Sequence, residues 1–195
     1  MQNPPYFSST EIRDIAISTI ALGIIFSIGR GISVASVAII TVIVALSFIP
    51  HELAHKFTAI RYKCFARYEM WKNGLIFALL LAIATGGSFT FAAPGAVVIY
   101  TAYRSNYGIH HVKLSSRQNG IISIAGPATN LVIALAFRIF APQFVLTASI
   151  VQINTFLAWF NLLPIPPLDG SKIIWWNIAA WLLLFGTASA LLWVF

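Results

Sequence analysis

Residues 46–60 read LSFIPHELAHKFTAI, and the reading of this stretch decides the fold. Most of it is the apolar text of a membrane span, yet His51, Glu52 and His55 lie inside it. The whole chain has only four histidines and five acidic residues. Ionisable groups in hydrocarbon are costly and rare, and by default they mark a functional path. HExxH on a helix sets its histidines at i and i+4, on one face and close enough to share a tetrahedral ion. The glutamate beside the first histidine is placed to take a proton from a water that zinc has made acidic near neutral pH. Pro50 breaks or kinks the helical ladder just before His51, so the freed backbone groups need a neighbour or water. On a soluble helix the same spacing is often only a solvated face. In lipid that reading is poor, and a buried structural polar cluster is the remaining bland alternative.

Composition supports lipid as the solvent. The 195 residues are 59% apolar and 9% charged, against about 25% charged in an average soluble domain. The length suits one domain, 1–195. The net charge of +7 is spread between apolar runs rather than clustered on a polar face. It therefore reads as a setter of membrane orientation and not as a nucleic-acid surface. A single cysteine, Cys64, excludes an intrachain disulfide. The start, MQNPPYFSSTEIRD, lacks the basic opening of a cleavable signal, so the first apolar run is expected to be retained.

An α-helical polytopic membrane protein is expected, with about six transmembrane or re-entrant segments. Apolar runs cover about 15–28, 32–60, 119–141 and 144–166, and a last one covers about 173–195. Ser9 or Thr10 is the expected N-cap of the first. Residues 74–84 suggest a short helix. Gly-Gly, Pro94-Gly95 and β-branched and aromatic residues then suggest a small β-hairpin near 86–103, covered by protein or lining a wet cavity. Arg13, the basic loop from Arg61 to Lys72, the run Arg104 to Arg117, and Lys172 are expected on the cytoplasmic side. Only Arg30 and Arg138 then fall outside. This puts the N-terminus in the cytoplasm of a multi-pass plasma-membrane protein. It also puts His55, about 9 Å from Arg61 along a helix, near the cytoplasmic face.

A zinc site needs a third protein ligand and an open position. Glu11 and Asp14 look interfacial. Glu69 is better read as a partner of a neighbouring Lys or Arg, and His110 and His111 as a solvated pair. Asp169, in NLLPIPPLDGSK, matches His55 in depth, although it also suits the N-cap of the last helix.

HELAH in one span, AGPATN early in a later one and FNLLPIPPLDG after that together resemble the site-2 protease family of intramembrane zinc metalloproteases. The likeness covers residues 34–175. It implies one zinc ion on His51, His55 and Asp169, with Glu52 as general base. It also implies that Asn130 and Asn161 lie near the active site. Asn161 is the better candidate to hold substrate backbone, while Asn130 suits interhelical packing as well. The expected activity is hydrolysis of transmembrane helices of single-span membrane proteins, as in regulated intramembrane proteolysis, by a small core without appended domains. The segment SFTFAAPGAVVIYTAY is a candidate edge for pairing with an unwound substrate. A silent member that binds transmembrane helices without cutting them is the alternative. A metal transporter would spread its polar residues along a path rather than gather them at one depth.

Overall fold

The computed structural model describes residues 6–105 and 108–194. Helix α1 (Ser9–Ile28) starts at Ser8, whose hydroxyl accepts the Glu11 N–H at 3.1 Å, one residue before the expected cap. Helix α2 (Val34–Arg61) opens on a reciprocal capping box between Ser33 and Ser36, and it carries Pro50 in its interior. The two helices approach closely because Gly23 faces Thr41. A Cβ at Gly23 would meet the Thr41 backbone at less than 3 Å.

Past α2 the chain reverses through Lys63, at φ 63°, into strand β1 (Phe65–Met70). Ala66 and Tyr68 are buried and their neighbours in the strand are not, the period of two that a half-covered strand requires. Helix α3 (Lys72–Ala84) follows, then strand β2 (Gly95–Tyr100). β1 and β2 pair antiparallel, with Tyr68 opposite Val97. This corrects the expected hairpin within 86–103. Residues 86–94 form no strand, and the partner of β2 comes from the basic segment before α3. Strand β3 (Ala102–Ser105) pairs separately with β4 (Gly108–His111), the strand that holds His110 and His111.

Helix α4 (Ser116–Phe140) has its own capping box, Ser115 with Gln118, and an interior Pro127. Helix α5 (Thr147–Asn161) ends before the prolines at 164, 166 and 167. The last apolar run is two helices, not one: α6 (Asp169–Trp176) and α7 (Ile178–Val194). Asn177 divides them with an extended backbone (φ −154°, ψ 102°), and its side-chain oxygen accepts the Ala180 N–H at 3.0 Å, so it caps α7.

Packing centres on α2 and α4, which run antiparallel and bring Ser47 to Asn130 and His55 to Ile122. Leu22, Ile25, Ile43, Val44, Phe48, Tyr68, Ile153 and Leu157 form one core among α1, α2, β1 and α5. Leu131, Ala158, Leu162 and Ile173 join α4, α5 and α6 in another. Among the described residues, α2 and α4 are long and apolar enough to cross a membrane, while α3 and α7 are apolar but shorter. The six segments expected from the sequence are therefore not all of that kind.

Candidate metal centre

The α2 face that carries HELAH turns inward against α4 and the start of α6, and His51, Glu52, His55 and Asp169 are all buried. The Nε2 atoms of His51 and His55 lie 3.1 Å apart. Asp169 Oδ2 lies 3.0 Å from His55 Nε2 and 3.8 Å from His51 Nε2. Asp169 reaches this point as the first residue of α6, with Leu168 as the N-cap, so the carboxylate is not a cap. The turn is pressed tightly onto the end of α5, since a Cβ on Gly170 would collide with the Leu162 carbonyl.

The other ring nitrogens decide what this cluster can hold. His55 Nδ1 is 2.7 Å from the Ile122 carbonyl, which can only accept. His51 Nδ1 is 2.5 Å from Asn130 Oδ1. That asparagine is oriented by its amide nitrogen, which donates at 2.9 Å to the Ser47 carbonyl and at 2.9 Å to Asn154 Oδ1. Asn154 in turn donates to the Ser47 hydroxyl and the Ile150 carbonyl. Both imidazoles thus carry their proton on Nδ1, and both Nε2 lone pairs face one carboxylate oxygen. Three bare donors crowded together in this way repel unless a cation lies among them. Ligand bonds of 2.0–2.2 Å in a tetrahedron would separate donor atoms by about 3.4 Å, the scale seen here. Space for an ion is kept by Gly126 on α4, where a Cβ would fall within 3 Å of both Nε2 atoms. The donor set of two imidazoles and a carboxylate suits zinc.

Glu52 lies alongside. Its Oε2 is buried without a hydrogen-bond partner, and the backbone amide of Val97 on β2 faces its carboxylate. Lys172, one turn into α6, has its Nζ 3.5 Å from Asp169 Oδ1.

The structure brings His51, Glu52, His55, Asp169 and Asn130 together. Asn161 is otherwise engaged, donating to the Leu157 carbonyl of its own helix at 2.9 Å. Glu11 is not interfacial as expected. It is buried, takes Lys56 Nζ at 2.6 Å on each carboxylate oxygen and also accepts the Tyr68 N–H. Asp14 pairs with Arg13, and Glu69 pairs with Arg67 as the sequence suggested. Sequence reasoning missed Asn154, Ser47 and Lys56. Asn154 left a signal, as an amide beside Gln152 inside the otherwise apolar text SIVQINTFLAWF.

No family model matches the chain, and no solved structure matches it. Two curated proteins do, each named as a candidate zinc metalloprotease. MJ0611 of Methanocaldococcus jannaschii is 39% identical over 182 residues, spanning 90% of this chain and 88% of that protein. YwhC of Bacillus subtilis is 32% identical over 164 residues, spanning 70% of this chain and 66% of that protein.

Proposed function

Because the chain belongs to the zinc metalloprotease family of these two relatives, we propose that it is an intramembrane endopeptidase of the site-2 protease type. It would cut the transmembrane helices of single-span membrane proteins. The observation that carries this reading is an inversion of polarity. Glu11, His51, Glu52, His55, Lys56, Asn130, Asn154 and Asp169 are buried, while Ile17, Ile24, Val42, Leu46, Val132, Ile139 and Leu183 face outward. A protein in water does not bury so many ionisable groups beneath an apolar exterior, whereas one in lipid does so around a functional path. The chain then sits as a multi-pass protein of the plasma membrane, with its N-terminus in the cytoplasm and water entering the site from that side.

His51, His55 and Asp169 would hold one zinc ion, whose charge would polarise a scissile carbonyl and acidify an attacking water. Glu52 takes that water's proton and delivers it to the departing amine. Asn130 and Ile122 fix the two imidazoles in the tautomer that points Nε2 inward. A helical substrate hides its carbonyls in its own hydrogen bonds, so it must unwind before hydrolysis. β2 supports such a step. One of its edges is paired with β1, and Val97 on the same strand stands beside Glu52. An extended substrate segment pairing with the other edge would bring its peptide bond to the carboxylate. Asn161, at the end of α5 nearest the LDG turn, remains the second candidate to hold substrate backbone.

The test is cleavage of a transmembrane peptide by the purified chain in detergent, with and without a chelator, beside Glu52→Gln. The expected result is chelator-sensitive cleavage, reduced about 10²–10⁴-fold in the variant while zinc stays at one equivalent. Zinc bound by a parent protein that cuts nothing would favour a helix-binding protein without activity. No bound zinc would overturn the assignment.

A further inference from the structure

Three helices lead away from the metal centre toward the same end of the molecule. Gly126 on α4 faces both Nε2 atoms, and Gly120, earlier on that helix, lies so close to Trp176 that a Cβ there would collide with the indole. α6 therefore climbs from the ligand Asp169 toward the start of α4, antiparallel to it. α2 climbs the same way, because His55 lies against Ile122 and the helix ends at Arg61. Each of the three sets a cation on the rim above the site. Arg61 is about 9 Å beyond His55 and Arg117 about 7.5 Å beyond Ile122, at a helical rise of about 1.5 Å per residue. Lys172 stands about 4.5 Å along α6 from Asp169, with its side chain 40% exposed. A fourth cation, Lys113, comes between Val112 and Leu114, which pack on the small core that Ala59 and Ile122 share.

All four are exposed. The acidic residues do not neutralise them. Glu11 is taken by Lys56, Asp14 by Arg13 and Glu69 by Arg67. Glu52 is buried, and Asp169 meets Lys172 alone of the four. Among the described residues, Arg61, Lys113 and Arg117 therefore face no carboxylate. Helix physics does not ask for this arrangement. Arg117 stands in the first turn of α4, which holds no acid, although the helix dipole favours an acid there over a cation. Membrane orientation accounts for the side on which these charges lie, but not for their convergence around the way into one buried site.

We infer that this rim reads carboxylates on the cytoplasmic flank of the substrate. It accepts transmembrane helices flanked there by Asp or Glu and rejects those flanked by Lys or Arg. Arg61 and Arg117 supply guanidinium forks suited to carboxylates, and Lys113 and Lys172 add to the field that draws an acidic segment to the opening. Membrane proteins ordinarily carry basic residues on the cytoplasmic side, so like-charge repulsion at the rim excludes the common case. Selection is by rejection as much as by attraction. The inference rests on the protease reading proposed above and adds to it the class of substrate.

The test uses the full chain carrying Glu52→Gln, so that binding is read without turnover. Fluorescent transmembrane peptides that differ only in a cytoplasmic tract of Asp, Asn or Lys are titrated against it in zwitterionic detergent. The Asp peptide is expected to bind about tenfold tighter than the Lys peptide at low salt. The difference should nearly vanish at about 1 M salt, where the screening length is about 3 Å. Adding Arg61→Gln and Arg117→Gln together should weaken the Asp peptide about fivefold, with zinc content unchanged. Equal affinity for the three tracts overturns the inference and leaves the protease reading standing, and so does a preference that survives the two arginine changes. Loss of the preference on adding phosphatidylglycerol gives the rim to lipid headgroups and also overturns it. If the parent chain cuts none of the three peptides, the failure lies in the protease reading, and the inference falls with it.

Discussion

Asn130 stands between His51 and Asn154 and can face only one way. Its Oδ1 meets His51 Nδ1 at 2.5 Å, while its amide nitrogen is held by Ser47 and Asn154. Turning the amide over would break all three bonds and set a donor against a donor. The ligand ring of α2 is therefore oriented by two other helices at once.

Removing that orienting group should weaken the ion more than the fold. Asn130→Ala is expected to lower zinc affinity about 10–100-fold, read by titration against a chromogenic chelator. Affinity equal to the parent's would show that His51 is set by its own helix alone.

Gly126→Ala crowds the point on which the two imidazoles converge. Alanine improves a helix interior by about 1 kcal/mol over glycine. Here the added methyl falls where the two Nε2 lone pairs converge. Zinc should fall well below one equivalent, and the metal-free protein should lose about 1–3 kcal/mol to overpacking, since Asn130 and Ile122 hold both rings in place. Full zinc occupancy in this variant would move the ion away from that convergence.

The buried pair of Lys56 and Glu11 ties α1 to α2, and Glu11 also holds the Tyr68 N–H of β1. Lys56→Met leaves a carboxylate buried without its cation and should cost about 3–5 kcal/mol. Adding Glu11→Leu should recover part of that loss. The Tyr68 amide then lacks its acceptor, which keeps the recovery incomplete by about 1–3 kcal/mol. Denaturant unfolding of both singles and the double measures the coupling, and purely additive effects would argue against the pair.

Acid should loosen the small sheet. The Tyr100 hydroxyl, and with it Arg67 at 2.8 Å, hold the Glu69 carboxyl below its ordinary value of 4.5. A carboxyl that is more acidic when folded stabilises fully above the unfolded value, and that contribution is lost as pH falls through the folded one. Tyr100→Phe removes the larger cause. The gap in melting temperature between parent and variant should therefore be present at pH 7 and narrow toward pH 3. A gap independent of pH would mean that Tyr100 acts through packing.

What could be read in the sequence was what is local or polar in an apolar setting. His51, Glu52 and His55 are fixed relative to one another by one turn of helix, and Asp169 stood out because few carboxylates were available. The β1 strand was hidden because Arg67 and Glu69 made FARYEM look like a charged loop; its buried face is only Ala66 and Tyr68. Its pairing with β2 spans the whole of α3, and no local rule carries register over that distance. Glu11 and Lys56 are 45 residues apart, and each looks like a surface charge until both are enclosed. The break at Asn177 was obscured by the unbroken apolar text around it.

Pro50 and Pro127 sit in the two long helices, the first beside His51 and the second beside Gly126. Each lacks the N–H that a helix gives to the carbonyl four residues back, so the carbonyls of Leu46 and Ser123 lose that donor. The antiparallel packing of α2 and α4 sets the two prolines side by side, so both backbones are weakened at the level of His51. Bending at that depth would then be a property of the helix backbones, surviving any side-chain replacement that spares the two prolines.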